Sequence, residues 1–504
     1  MDAPSVLCIA CALLLRLLVA LSPYSGAGTP PKYGDYEAQR HWMELTTNLP
    51  VVEWYQDGPH NDPKYWPLDY PPLSGYQSYL HGLLVRAFDP AAVALGTSRG
   101  YETHFSKQLM RWTVLLSDVL IFFPAAVLAA RAFGAPGPAP RGARSGGAAA
   151  VSGRLFVLAA ALLQPAAVLI DHGHFQYNCI SLGLTALAAT AIAARRDVLG
   201  SVLFSAALNH KQMALFYAPA FFAHLLGRCL QQRGAARKVL AVARLGAAVV
   251  ATFVVCWSPW LTSLEAAGQV ARRIFPVGRG LYEDYLSNWW CVSSVAVKWK
   301  GLVASQAALA PLCAALTLAA AAPSMAHQLA RPSPRGLLLG MANSALAFYM
   351  FGYQVHEKSI LLPLLPVTLL AASEPDAAVW GPVVGAFSMF PLLSRDGLAP
   401  AYAATLAAWL AVAPGLAPPR GGGAGAAPAR WRGAAAAVAV AGALALHTAS
   451  ALLPPPAALP WLWDRALVSY GFVFVAAGMA YLNARQWALP AEEAGTAGGG
   501  KKGL

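Results

Sequence analysis

Apolar residues fall in runs, and the runs recur from one end of the chain to the other. The first spans about 5–22, and further runs lie near 111–130, 155–170, 178–194, 198–208, 212–227 and 239–257. Others follow near 301–328, 336–352, 359–373, 378–393, 399–417, 433–452 and 466–483. A helix needs about 20 apolar residues to cross a ~30 Å hydrocarbon core, so the pattern predicts an all-α polytopic membrane protein with about 14 transmembrane helices. The short run 198–208 suits a tilted or re-entrant segment. The first run has the length of a signal peptide, but Arg16 interrupts it, no basic stretch precedes it, and the rest of the chain is itself polytopic. It is read as a retained first helix.

A long polar segment, 23–110, separates the first run from the second. Two stretches inside it, near 35–47 and 74–88, carry apolar residues at helical spacing. They predict amphipathic helices lying on the membrane surface. The Ala/Gly/Pro-rich stretches 134–150 and 418–432 read as loops, and no internal repeat is seen.

Loop charge assigns the sides. Alternate loops carry Arg131, Arg141, Arg144 and Arg154; Arg195 and Arg196; Arg228, Arg233, Arg237 and Lys238; Arg331 and Arg335; and Arg420, Arg430 and Arg432. The positive-inside rule makes these loops cytosolic, and both termini with them. The opposite side receives 23–110, 171–177, 209–212, 258–300, 353–358 and Arg395–Asp396, the polar and aromatic loops. Lys501 and Lys502 stand at the third and fourth positions from the end, in the manner of a dilysine retrieval signal of endoplasmic reticulum membrane proteins.

Composition narrows the classes. The 504 residues are 57% hydrophobic and 12% charged with a mean hydropathy of +0.48, which leaves no large soluble domain. A net charge of +13 in a soluble chain would suggest nucleic acid. Here the arginines sit in short loops between apolar runs, where charge sets topology, and no nucleic acid partner is expected. The cysteines lie in or beside apolar runs without zinc-like spacing, so haem, iron–sulfur and zinc are not expected either.

The polar loops carry the candidate chemistry. Gly34-Asp35-Tyr36-Glu37 and Trp66-Pro67-Leu68-Asp69-Tyr70-Pro71-Pro72 each set carboxylates among aromatics. Such acids can act as general bases, aromatic faces stack on sugars, and the double proline fixes the backbone behind Asp69; the alternative is a solvated turn with interfacial aromatics. Asp171-His172-Gly173-His174-Phe175-Gln176-Tyr177-Asn178 offers either a metal site, from Asp171, His172 and His174, or a polar turn that hydrogen-bonds helix ends. Asn209-His210-Lys211-Gln212 is a second such turn. Arg272, Arg273 and Arg279 precede Glu283 and Asp284, as a phosphate-binding group or an ordinary ion-pair cluster. In Tyr353-Gln354-Val355-His356-Glu357-Lys358, three consecutive ionisable residues stand at the membrane boundary. Residues placed there are costly to desolvate, and His356 and Lys358 can hold a phosphate; the alternative is snorkelling by Lys358.

These motifs resemble the dolichyl-phosphate-glucose-dependent glucosyltransferases of N-glycan precursor assembly. The similarity runs through Gly34 to Glu44, Trp66 to Pro72, Thr97 to Glu102, Gly173 to Asn178, Lys211 to Met213 and Gln354 to Leu362, in family order. The wording Asp35-Tyr36-Glu37-Ala38-Gln39-Arg40 looks like the enzyme adding the first glucose, with the enzyme adding the second as its near relative. The resemblance implies a GT-C fold in the endoplasmic reticulum, dolichyl phosphate glucose as donor, and a dolichyl-diphosphate-linked nine-mannose oligosaccharide as acceptor. It implies an α-1,3 linkage made with inversion, Asp69 as base, His356 near the donor phosphate, and no cofactor or metal. Lys358 and Arg279 would join His356 at the phosphate. Asp35, Glu37, Tyr70, His174, Gln176, Glu283, Asp284 and Glu357 would bind the acceptor or support the site. The family has an acid where this chain has Gly278, which leaves any role of that acid in doubt. The chain then divides into a first helix, 1–22; a first luminal loop, 23–110; a membrane module, 111–400; and a divergent C-terminal part, 401–504. A mannosyltransferase, a transporter and a non-catalytic subunit remain as competing readings. A transporter would place ionisable groups at mid-membrane and show repeats.

Overall fold

A computed structural model describes residues 2–135, 147–275, 280–303, 305–418 and 429–490. Among the described residues all regular structure is helical, and the only extended pairings are isolated bridges. Among the described residues eight helices are long and apolar enough to cross a membrane: His104–Phe133, Val151–Phe175, Gln212–Leu230, Ala235–Trp260, Gln306–Ala330, Ala399–Leu416, Gly433–Leu452 and Leu462–Trp487. The chain is therefore a multi-pass membrane protein. The remaining predicted runs also contain helices: Ala3–Val19, Asn178–Ala193, Asp197–His210, Leu361–Leu369 and Pro375–Ser388, all under 18 residues, and Pro334–Phe351, with 18.

The helices differ in what covers them. Val151–Phe175 has 83% of its apolar stretch buried within the protein, whereas Ala235–Trp260 and Gly433–Leu452 have 0%. Val239, Val250 and Val255 stand exposed along the second of these. An uncovered apolar flank of that length needs lipid around it.

The first polar segment departs from expectation. Helix Asp35–Asn48 forms as predicted, but it does not lie on the membrane surface: Tyr36 to Thr46 are all buried in the protein. An amphipathic pattern cannot say whether its faces meet lipid or protein. Here the polar face is satisfied internally, through Glu37, Arg40, His41 and Glu44. The second helix, Pro72–Phe88, meets the first at Gly82, sets Gly75 against Trp54 and Leu68, and exposes Leu80, Leu83 and Phe88. Small residues inward let the backbones approach: a Cβ on Gly82 would stand 2.5 Å from the Thr47 Cγ2 methyl. The exposed apolar side of this helix keeps the membrane-surface reading.

The 258–300 segment, read as a loop, contains another helix, Leu264–Ile274, whose cap is the Ser263 hydroxyl accepting from Ala266 N at 3.1 Å. Its Val270 and Ile274 join Trp42, Trp54, Tyr55, Leu68 and Trp260 in a small apolar core that roofs the polar loops. Val270 and Ile274 lie one turn apart, a spacing too brief to stand out beside the longer apolar runs.

Candidate active site

The site is assembled where the ends of Ala3–Val19, Val151–Phe175, Asp197–His210 and Pro334–Phe351 meet the first polar segment. Backbone strain is concentrated there. Tyr33, Trp66, Phe175, Asp284 and Gln354 all have positive φ, between +44° and +91°. Each is a non-glycine residue for which this conformation costs about 1–3 kcal/mol. Each stands one to three residues from an expected site residue: Asp35, Asp69, Gln176, Glu283 or His356.

Asp35 begins helix Asp35–Asn48 and is the hub of the site. Its Oδ2 accepts from Lys358 Nζ at 2.5 Å, from His174 Nε2 at 2.9 Å, and from the Gln176 side-chain amide. Burial alone would raise its pKa. The Lys358 ammonium and the His174 ring outweigh burial and hold the carboxyl well below its usual range. The other ring nitrogen of His174 meets Asp396 Oδ2 at 2.5 Å, so the imidazole is clamped between two carboxylates. Asp396 was not among the expected site residues; it lies 222 positions from His174 in the chain.

Glu37 points elsewhere. Two residues along a helix is a rotation of about 200°, so Asp35 and Glu37 cannot share a site. Glu37 accepts from Arg40 at 2.6 and 2.7 Å, from Tyr65 OH at 2.7 Å and from Gly100 N at 3.1 Å. Arg40, fully buried, also reaches Glu44, Ser98 and the carbonyl of Ala92. This network knits the first polar segment together and sets the frame for Asp69. Arg40→Ala would leave the buried Glu37 without a cation and Glu44 with only the His41 ring, at a cost of about 3–5 kcal/mol. We expect a large fall in melting temperature with Arg40→Ala and a smaller one with Ser98→Ala, read by thermal unfolding in detergent.

Asp69 and Tyr70 sit in a turn held at several points. Trp42 Nε1 donates to the carbonyls of Trp66 and Pro67 at 3.1 Å, and Tyr55 OH donates to Tyr70 O at 2.7 Å. The Gln212 side chain donates to Asp69 O at 3.0 Å. The Lys211 ammonium lies 4.9 Å over the Tyr70 ring and donates to Asn178 at 2.7 Å and to Gln176 at 3.2 Å. Burial lowers its pKa, the Lys358 charge lowers it further, and Asp171, Asp35 and Asp69 pull it back up. Lys211 thus lies within electrostatic reach of Lys358 and of all three carboxylates. Lys211 and Gln212 were seen only as a polar turn and a shared motif; their lone position between two apolar runs was the signal.

Asp171, His172 and His174 do not converge on a common point. Asp171 accepts from the backbone N–H of Asn178 and Cys179 and from the Asn178 side chain, and so caps helix Asn178–Ala193. His172 meets Asp118 Oδ2 at 2.9 Å, and Arg16 reaches the same carboxylate. Among the described residues no group of three potential ligands could hold a metal ion. The arrangement is that of a polar turn on helix ends. The Arg16–Asp118–His172 group lies within apolar helices, so not every ionisable group is at the surface.

The last loop brings its motif to the same place. An isolated bridge joins Tyr282 to Val355, with Gln354 N donating to Leu281 O at 3.0 Å. It sets Glu283 against His356 in a close ion pair. Burial disfavours the charged ring, but the bonds to Glu283 and Glu357 prevail and raise the His356 pKa to about 9. Glu357 is buried beside it, 3.6 Å from Nδ1. Asp284 pairs with Arg395 at 3.0 Å. Arg279 and Gly278 lie outside the described residues. Lys358, His356, Lys211 and Arg395 thus stand among carboxylates at one end of the helices, close to the Asp69 loop.

A profile described as the ALG6, ALG8 glycosyltransferase family matches residues 12–481. A protein of Arabidopsis thaliana, named "Probable dolichyl pyrophosphate Man9GlcNAc2 alpha-1,3-glucosyltransferase", is 52% identical over 395 residues, 78% of this chain and 72% of its own. The similarly named proteins of Gallus gallus and Saccharomyces cerevisiae, which lack the qualifier, are 44% and 40% identical. They match over 79% and 81% of this chain and 76% and 74% of their own. The chain belongs to the ALG6, ALG8 glycosyltransferase family.

Proposed function

We propose that this protein transfers glucose from dolichyl phosphate glucose to a dolichyl-diphosphate-linked nine-mannose oligosaccharide, forming the first α-1,3-glucose linkage with inversion. It works in the endoplasmic reticulum membrane, with the site in the lumen, both termini in the cytosol and about 14 crossings. The observation that carries this reading is the meeting of a turn-locked acid, Asp69, with a cationic loop at the helix ends, in a chain whose relatives are named as α-1,3-glucosyltransferases of Man9GlcNAc2. Those names specify Man9GlcNAc2, the acceptor without glucose, which favours the first transfer over the second.

The chemistry needs one displacement. Asp69 takes the proton of the acceptor hydroxyl as its oxygen attacks the anomeric carbon; the bond from that carbon to the β-linked phosphate breaks on the opposite face, and the product is α-linked. Asp35 is a poor candidate for the base, because Lys358 and His174 hold it ionised at low affinity for protons. The departing dolichyl phosphate gains negative charge, which Lys358 and His356 oppose. Lys358 and His356 supply positive charge at the leaving phosphate without a divalent metal.

Two tests follow. Purified protein in a chelator should use dolichyl phosphate glucose and reject dolichyl phosphate mannose; activity lost on chelation and restored by a divalent ion would overturn the metal-free mechanism. His356 carries its charge below about 9 and loses it as pH rises through that value. The KM for the lipid donor should therefore climb above that pH, and His356→Ala should raise it at neutral pH by about tenfold or more. A change confined to acceptor affinity would remove His356 from the phosphate.

A further inference from the structure

The ends of the helices remote from the site hold a second cluster of cations. Asn178, Lys211 and Trp257 fix the site-side ends, the last by donating to Asn209 at 2.8 Å. The other ends lie about 20 Å away, the length of helix Asp197–His210. There a cleft of about 930 Å³ opens between Asp197–His210, Ala218–Leu230 and Ala235–Trp257. Arg195, Arg196, Arg228 and Arg244 line it, with Asp197 as its one carboxylate. Asp197 is taken by Arg228 at 2.6 Å. The other three arginines are exposed, which leaves the lining with a net charge of three.

Beneath this charge the wall turns apolar, with Leu199, Val202 and Leu245. The helix carrying Leu245 buries none of its apolar stretch in the protein, so the cleft opens sideways onto lipid. Arginine in loops is enough to orient a membrane protein. Orientation alone needs neither a cleft nor an apolar slot below it. A soluble phosphate compound would satisfy the guanidinium groups and leave the slot wet, whereas a phosphate-headed lipid fills both.

We propose that this cleft binds an anionic glycerophospholipid, with its headgroup phosphate on Arg195, Arg196 and Arg244 and an acyl chain along Leu199, Val202 and Leu245. The bound lipid fills the gap between the outlying helix Ala235–Trp257 and the bundle.

The test is lipid retention by the full chain, measured by native mass spectrometry. The probes are phosphatidylinositol, phosphatidylcholine, dolichyl phosphate and inorganic phosphate. The wild type should hold phosphatidylinositol at least about tenfold more tightly than phosphatidylcholine. The variant Arg195→Ala/Arg196→Ala/Arg244→Ala should lose that preference while keeping glucose transfer in neutral lipid. Leu199→Trp, which fills the slot and keeps every charge, should weaken lipid retention even if the triple variant fails to fold. Equal retention of phosphatidylcholine, stronger retention of dolichyl phosphate, full competition by inorganic phosphate, or unchanged retention in Leu199→Trp would each overturn the proposal.

Discussion

Asp69→Asn is expected to lower glucose transfer by about 10²- to 10⁴-fold, the usual contribution of a positioned general base. The substitution keeps the shape of the side chain. It also keeps the contacts that hold the turn, because the Gln212 amide donates to the backbone carbonyl of residue 69, and Trp42 and Tyr55 hold its neighbours. Thermal stability and lipid-donor binding should therefore stay near wild type while turnover falls. Some transfer should persist, since the cations that meet the departing phosphate remain. Asp35→Asn makes the useful contrast. It removes a carboxylate whose proton affinity is already suppressed by Lys358 and His174, so it should disturb the position of those residues more than proton removal. Full turnover by Asp69→Asn would exclude it as the base.

Lys358→Ala is expected to lower transfer by about 10²- to 10³-fold, the scale of losing one donor to developing negative charge. It also strips the half-buried Asp35 of its nearest cation and leaves it only His174 and the Gln176 amide, which should lower the melting temperature. The two effects separate in a double variant. Asp35→Asn/Lys358→Met removes both charges and should recover much of the thermal stability, while transfer stays low. Recovery of transfer along with stability would mean that Lys358 serves only to neutralise Asp35 and does not meet the donor.

Much of the fold was legible because lipid-crossing helices need a long apolar run, and every run predicted here contains a helix. The count of crossings was less legible, since runs such as 198–208 form helices of only 14 residues. The burial of helix Asp35–Asn48 was hidden for a different reason: Glu37, Arg40 and Glu44 look like a solvated face until their partners Ser98 and Gly100, more than fifty residues on, are in place. The site shows the same division. Asp35, His174, Gln176 and Lys358 each stood out in a polar loop, and the fold gathers them around one oxygen. Asp396 stood out only as part of a short polar loop, because only folding brings it to His174. Arg16 likewise read as an interruption of an apolar run, and its partner Asp118 lies 102 positions away inside another.

The central claim is that an Asp69-centred site transfers glucose from a lipid phosphate to an acceptor that carries no glucose. The most direct test offers purified protein dolichyl phosphate glucose with two lipid-linked acceptors, the nine-mannose oligosaccharide and its singly glucosylated form, and determines the linkage of the product. One α-1,3-linked glucose on the first acceptor, and none added to the second, is the predicted result. Transfer to the glucosylated acceptor alone, or a β-linked product, would contradict it.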